Sequence, residues 1–380
     1  MIAISGGGIA GLATALAVLR AGYDATLIDI DGTLPQGGVQ LASNGWAALA
    51  ALGLDNQLHG DATRLANITI RDLASGATLT RIDLDGGYAS VTRAALIALL
   101  GTAVEANAKF HRITGKITHA VPRRTDQGGG VRLRLDSGTQ LDVAAVIAAD
   151  GIGGFGRAYV TGIYSDSSAL PASETRVAMR VVLDRAHGMP QALTQPASNL
   201  WLGDGAHIVH YPLNNGTLVN LVVTLDGRLA AQDWQTRLFS HQPALAHLAG
   251  RQDLNWVKTP LPGAALSAVW RRGRVVLAGD AAHPMPPNLA QGAGQSLIDA
   301  ACLERWLVSA ATLDQALSGY ARERSSAVSK IVSKARTSGQ VMAMKGLAAK
   351  IRNATLGFSG DNLLQSWLDE VWHSRQSQDL

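Results

Sequence analysis

Apolar and polar positions repeat with two different periods along this chain of 380 residues, and each change of period marks a change of element. The run Ile2-Ala3-Ile4-Ser5 predicts a short apolar strand, and an Ala/Leu-rich stretch behind Gly6-Gly7-Gly8-Ile9-Ala10-Gly11 predicts a helix to Gly22. A second strand, Ala25-Thr26-Leu27-Ile28, ends at Asp29. Past a glycine-rich loop at residues 32–38, Val39-Gln40-Leu41 leads into a helix expected over residues 44–52. Residues 68–84 read as two strands about the turn Ala74-Ser75-Gly76, and residues 93–104 return to helical spacing. Asp136-Ser137-Gly138 sits between two alternating runs and signals a hairpin. Gly128-Gly129-Gly130 is a loop tip, and residues 144–149 form a short apolar strand ending at Asp150-Gly151. Residues 175–225 alternate as an antiparallel sheet with one buried face does, and residues 234–249 predict a helix. Val275-Val276-Leu277-Ala278 is continuously apolar, as a central parallel strand covered on both faces should be. Everything beyond Ser296 is helical in pattern, with breaks expected at Gly339, Gly346 and Gly357.

Parallel-strand signals at both ends and in the middle, interrupted by antiparallel signals, mean two interleaved bodies of α/β class. The expected division is a discontinuous Rossmann-like domain (residues 1–66, 91–165 and 263–330), a mixed or antiparallel-sheet domain (67–90 and 166–262) and C-terminal helices (331–380). Composition narrows the class further. Hydrophobic residues make up 47% and charged residues 16%, ordinary values for a globular chain with a sizeable core. No apolar run approaches the ~20 residues of a membrane span, and with the first strand at Ile2 no leader is expected ahead of the fold. Cys302 is the single cysteine, which excludes internal disulfides and cysteine-built metal sites and suits a reducing cytoplasm. The net charge of +4 comes from scattered residues, which suits a solvated surface that draws in anionic small molecules and gives no nucleic-acid footprint; no obvious metal-ligand set stands in the sequence, and no metal is expected.

Strand, G-x-G-x-x-G and helix in succession form a dinucleotide-binding turn. Gly6 permits the tight turn, Gly8 lets a pyrophosphate approach the backbone, and Gly11 lets the helix pack on the strand. The phosphates belong at the helix N-terminus. Asp29 stands 18 residues beyond Gly11, where a ribose-binding carboxylate is expected. A second site is written in Gly279-Asp280-Ala281-Ala282-His283-Pro284 and Gln291-Gly292-Ala293-Gly294-Gln295. A carboxylate at a strand tip accepts hydrogen bonds from a polyol, and a glycine-rich helix start donates N–H groups to an anion. A simple nicotinamide dehydrogenase has no use for that second site.

The stretch around it, residues 274–307, resembles the flavin-binding segment of the single-component FAD-dependent aromatic hydroxylases. These are the para-hydroxybenzoate, salicylate and hydroxynicotinate monooxygenases and their relatives, and the resemblance covers most of the chain. It implies a para-hydroxybenzoate hydroxylase-like fold, bound FAD and NAD(P)H as a transient co-substrate. It also implies hydroxylation, with O2, of an aromatic or heteroaromatic small molecule by a monomer or homodimer. FAD would be held by Gly6, Gly8, Gly11, Asp29, Gln40, Arg93, Asp150, Gly279, Asp280, Pro287, Gly292, Ala293 and Gly294. Asp150-Gly151 with Arg157 matches a motif linked to FAD and NAD(P)H, although its usual serine is Gly154 here. The acid that commonly precedes Asp299 is replaced by Ile298.

His283 belongs to the flavin loop by its motif position, and a general-base role is the lesser reading. For the substrate, strand period puts His207, Val209 and Tyr211 on one face and His210 on the other. The resemblance makes His207, Tyr211 and Arg180 the candidate catalytic residues, with Trp201 and Asn220 as pocket walls. The basic residues 322–336 read as a solvated helix face. Two alternatives stay open: an antibiotic-modifying hydroxylase or epoxidase on the same scaffold, and a flavin-fold binding protein without catalysis.

Overall fold

The computed structural model describes residues 1–30, 32, 36–124, 129–163, 176–184, 189–261 and 266–372. Its first sheet has six strands, in the order Arg271–Arg272, Val275–Leu277, Ala145–Ala148, Ile2–Ser5, Ala25–Asp29 and Phe110–Thr114. All neighbours are parallel except the first pair. Every residue of Ile2–Ser5 and Ala145–Ala148 is buried, as apolar runs broken only by Ser5 demand of strands covered on both faces. The helix Ile9–Arg20 covers one side and packs on the long helix Gly292–Ser309. Val275–Leu277 lies second from the edge, not at the centre, with Arg271–Arg272 running antiparallel beside it. An apolar run reports that both faces are covered, not how many strands flank it.

The second sheet has seven strands, in the order Val257–Pro260, Arg176–Asp184, Leu218–Asp226, His207–Leu213, Ala197–Leu202, Asn67–Asp72 and Thr78–Asp83. Ala197–Leu202 pairs with Asn67–Asp72 in parallel, and the other neighbours are antiparallel. Residues 67–83 therefore leave the first body, add two strands to this sheet and return. Both faces of the sheet are covered, where alternation predicts one. Trp201, Ile208, Val223, Trp234 and Phe239 pack on one side. On the other, Tyr211 and Leu213 pack with Tyr88, Leu289, Ile331, Val371 and Trp372, brought there by loops and C-terminal helices.

Those helices are Leu313–Met342 and Gly346–Trp372. Of the three expected breaks only Gly346, at φ +57°, is one. The first helix runs through Gly339, where a Cβ would overlap the Asn288 amide, and the second runs through Gly357. The helix expected over residues 234–249 stops at Phe239, after an Asp233 cap on the Thr236 N–H. Pro243 explains the stop, because the residue before a proline is pushed out of the helical region. Among the described residues no helix is long and apolar enough to cross a membrane.

The tightest joint in the first sheet is the turn itself. A Cβ on Gly11 would overlap the Gly6 carbonyl, so helix and strand meet at a distance only glycine allows. Gly11→Ala is expected to destabilise the protein by about 2–4 kcal/mol, as overpacking of a rigid joint does. Denaturant unfolding measures it, and an unchanged midpoint would show that this contact is absent.

Candidate active site

The two glycine motifs, some 270 positions apart in sequence, touch each other. Gly279 has φ +58° and a Cβ there would sit 2.5 Å from the Ala10 Cβ, so the second motif lies directly on the first. Gly6 is likewise obligatory, with φ +95° and the Ala149 carbonyl oxygen 2.5 Å from the place of its missing Cβ. Gly8 differs: a Cβ there would meet nothing within 4 Å, so its backbone faces open space. The Asp29 carboxylate lies against Gly7. Neither helix start, at Gly8 or at Gln291, carries a side-chain cap, which leaves N–H donors of the first turns to an outside acceptor.

Asp299 fixes the second motif from below. Its Oδ2 accepts from the Gly279 N–H at 2.8 Å and from His283 Nε2 at 2.7 Å, while Oδ1 accepts from Arg324 Nε at 2.7 Å. The His283 and Asp299 side chains are fully enclosed and Arg324 is 1% exposed. Burial opposes the Asp299 charge, yet His283, Arg324 and the hydrogen bonds hold its carboxyl below the usual carboxylate range. Arg324 also donates to Gln295 Oε1 at 2.7 Å. Gln291 Oε1 then accepts from Gln295 Nε2 at 3.0 Å and Asn44 Nδ2 at 2.8 Å. A Trp270 ring stacks on His283. His283 is thus a structural member of the loop.

The Asp150-Gly151 motif joins the same place through Arg157, whose Nη1 donates to the Ala281 carbonyl at 2.8 Å. The Asp150 Oδ2 accepts from the Gly156 N–H at 3.0 Å. Its Oδ1 is buried without a partner, and burial raises its pKa above the carboxylate value. The carboxylate fills the space a side chain on Gly154 would need, which accounts for glycine where the resemblance leads one to expect serine.

Residues from the second sheet close the site. Tyr211 pairs across the strands with Asn220, whose Oδ1 accepts from the Gly38 N–H at 2.9 Å and so ties the two bodies together. The half-buried Arg180 faces Arg93, Tyr211 and Asp280, and burial followed by the Arg93 charge lowers its pKa. Burial pushes the Tyr211 phenol up, only partly offset by Arg93, Arg180 and a hydrogen bond from Gln40. Gln40 is itself buried, with its Oε1 unpartnered. Arg180, Tyr211, Arg93, Gln40 and Asp280 therefore converge. His207 does not join them: the charges that face it are Arg176 and Arg352, and burial first, then these cations, depress its pKa to about 3. His210 points to the opposite side, stacked with Trp201. Pro287 opens the turn Pro287–Leu289, after which Ala290 adopts a left-handed conformation (φ 52°) just ahead of the helix.

A family described as an FAD binding domain matches residues 1–335. The chain is 28% identical over 372 residues to a 3-hydroxybenzoate 6-hydroxylase of Polaromonas naphthalenivorans, covering 93% of this chain and 90% of that one. It is 30% identical over 396 residues to 3-hydroxybenzoate 6-hydroxylase 1 of Aquipseudomonas alcaligenes, covering 98% and 97%. Among solved structures, Klebsiella pneumoniae HpxO complexed with FAD and uric acid superposes with a TM-score of 0.80. That match has 22% identity and covers 97% of this chain and 96% of that one, so it speaks for the fold. The chain belongs to this FAD-binding family, that of the FAD-dependent aromatic hydroxylases. It is an oxidoreductase that binds FAD and acts on small molecules.

The residues present fit the cofactor of an FAD-dependent hydroxylase. Open backbone at Gly8, two uncapped helix starts and unpartnered buried oxygens on Gln40 and Asp150 all await a ligand. Sequence reasoning missed Arg324 by taking residues 322–336 for a solvated face. The signal was there: Leu317, Tyr320, Arg324, Val328 and Ile331 lie at helical spacing on one buried stripe, and an arginine in such a stripe needs a buried acid.

Two outcomes are expected. Asp280→Ala should weaken FAD binding by about 1.5–3 kcal/mol, the loss of a charge-assisted hydrogen bond; fluorescence titration of the flavin would contradict the placement if affinity were unchanged. His207 and His210 both have pKa values depressed to about 3 from 6.5. The unfolded chain therefore binds protons that the fold refuses, so their stabilising share is complete above pH ~6.5 and falls as pH drops towards 3. At pH 5 each buried ring should lower stability by about 2 kcal/mol relative to pH 7. The difference in thermal midpoint between pH 7 and 5 should shrink in His210→Phe, and an equal difference would refute the neutral burial of that ring.

Proposed function

We propose that this enzyme uses NAD(P)H and O2 to hydroxylate a single aromatic ring that carries both a carboxylate and a hydroxyl group. The observation that carries the reading is the convergence of Arg180 and Tyr211 on the side of the second sheet that meets Arg93 and Asp280. Bound FAD supplies the redox chemistry, accepting a hydride and activating oxygen. The chain's own residues bind and orient. Arg180 has no hydrogen-bond partner among the described residues, and its guanidinium suits a bidentate carboxylate. A carboxylate there also screens the repulsion between Arg180 and Arg93.

Tyr211 is protonated at neutral pH, as a phenol ordinarily is, and burial pushes its pKa further up, so it serves as a hydrogen-bond donor. A donor aimed at the ring oxygen favours the electron-rich phenolate form and aligns the neighbouring carbon for oxygen transfer. His207 stands four residues away, roughly 13 Å along an extended strand, and would reach only a substrate longer than one ring. The 3-hydroxybenzoate 6-hydroxylases among the relatives support the choice of a hydroxylated aromatic acid. A lone, buried cysteine supports a reducing cytoplasm as the setting.

Screening hydroxylated aromatic acids for stimulated NAD(P)H oxidation, with product identification, tests the reading. Arg180→Gln should raise the KM for the acid by about 10- to 100-fold, the equivalent of ~1.5–3 kcal/mol, with FAD content unchanged. Tyr211→Phe should lower the product formed per NAD(P)H consumed, because a misaligned ring lets activated oxygen escape as peroxide. Unchanged KM and unchanged coupling in the two variants would sink the assignment.

A further inference from the structure

A second cleft, of about 330 Å³, lies on the outer side of the short helix Ser43–Ala51 and is used by neither the flavin nor the substrate reading. Its size is within the ~300–1,000 Å³ of small-molecule sites. The inner side of that helix is committed: Asn44 bonds Gln291, and Gly45 packs on Gly294 at the start of the flavin helix. On the outer side Trp46 and His59 stack with ring centroids 5.3 Å apart and planes 9° from parallel. His59 is exposed. Asp55 and Arg64 line the same cleft, and alanines and glycines make up the rest of its wall. Neither Asp55 nor Arg64 has a hydrogen bond or ion pair from its side chain among the described residues. Gly87, also in the lining, lies against Ser43, whose hydroxyl is buried without a partner.

We propose that this cleft docks the adenosine end of NAD(P)H, which has no second glycine-rich dinucleotide turn to bind it. The inference rests on the reading above that NAD(P)H is the reductant. Each feature answers to one part of an adenine nucleotide. The base extends the Trp46–His59 stack, its exocyclic amine donates to Asp55, and a phosphate pairs with Arg64. The contact from Gly87 to Ser43, and from the adjacent Asn44 to Gln291, leads from the cleft to the start of the flavin helix.

Arg64→Gln removes the cation, and Ala50→Trp fills the cleft from an exposed helix position. In FAD-loaded enzyme, ADP-ribose binding is measured by calorimetry, the KM for NADH and NADPH by steady-state kinetics, and aromatic-acid affinity by flavin absorbance. Arg64→Gln should weaken ADP-ribose and raise the coenzyme KM by about tenfold, the scale of one charge-assisted bond. Ala50→Trp should abolish ADP-ribose binding, and aromatic-acid affinity should stay within about twofold of the parent in both. Parent-like ADP-ribose affinity and coenzyme KM in both variants would overturn the inference, as would a parent enzyme that does not bind ADP-ribose. A parent that binds ADP-ribose at the cleft yet oxidises neither coenzyme would instead overturn the functional reading and leave the cleft standing.

Discussion

A single carboxylate, that of Asp299, holds the flavin side of this molecule in register. An ionised acid at 1% exposure is tolerable only where its lone pairs are filled, and here they are filled by Gly279, His283 and Arg324. Each partner belongs to a different part of the architecture. Gly279 opens the turn that follows a strand of the first sheet, His283 belongs to the proline-bearing loop, and Arg324 comes from the long helix Leu313–Met342. The same helix anchors the strand through the Tyr320 hydroxyl, which donates to the Leu277 carbonyl at 3.0 Å. Removing one member would strand a buried charge, which typically costs about 3–5 kcal/mol. The exposed Asp280 follows Gly279 directly, so the place of its carboxylate is set by the charge buried beneath that glycine.

The interleaving of the two sheets has a functional consequence. Strands drawn from residues 67–83, 176–184, 197–226 and 257–260 build the second sheet, and its inner face presses Tyr211 and Arg180 towards Arg93 and Asp280 of the first body. Asn220 bonding to Gly38 fixes that approach. The C-terminal helix then closes the seam: Val371 accepts from Asn44 at 3.3 Å, and Trp372 packs on Tyr88. The region between Tyr211, Arg180 and Asp280 is thus walled by both bodies and by the last helix.

Much of this was legible in the residues. Strand, G-x-G-x-x-G and helix specify the first turn because backbone clearances at Gly6 and Gly11 admit nothing larger. The alternation of His207, Val209 and Tyr211 against His210 placed the side chains on their correct faces, since a strand has no other period. What lay beyond sequence reading was long-range. Nothing local in Arg324 names Asp299, and charge counted along the helix suggested a solvated face. Coverage of the second sheet from both sides depends on helices that begin more than fifty residues after its last strand. The separation of His207 from Tyr211 was visible as strand rise, but its surroundings, Arg176 and Arg352, come from the far strand and the last helix.

The dependence of the cofactor site on Asp299 is open to one direct measurement, the FAD dissociation constant of Asp299→Asn. It is determined by flavin fluorescence at a temperature where circular dichroism shows the variant folded. Asparagine keeps the shape but withdraws the charge and one acceptor from Arg324, His283 and Gly279, so FAD affinity should fall at least about tenfold. A folded Asp299→Asn protein that binds FAD as tightly as the parent would contradict the account.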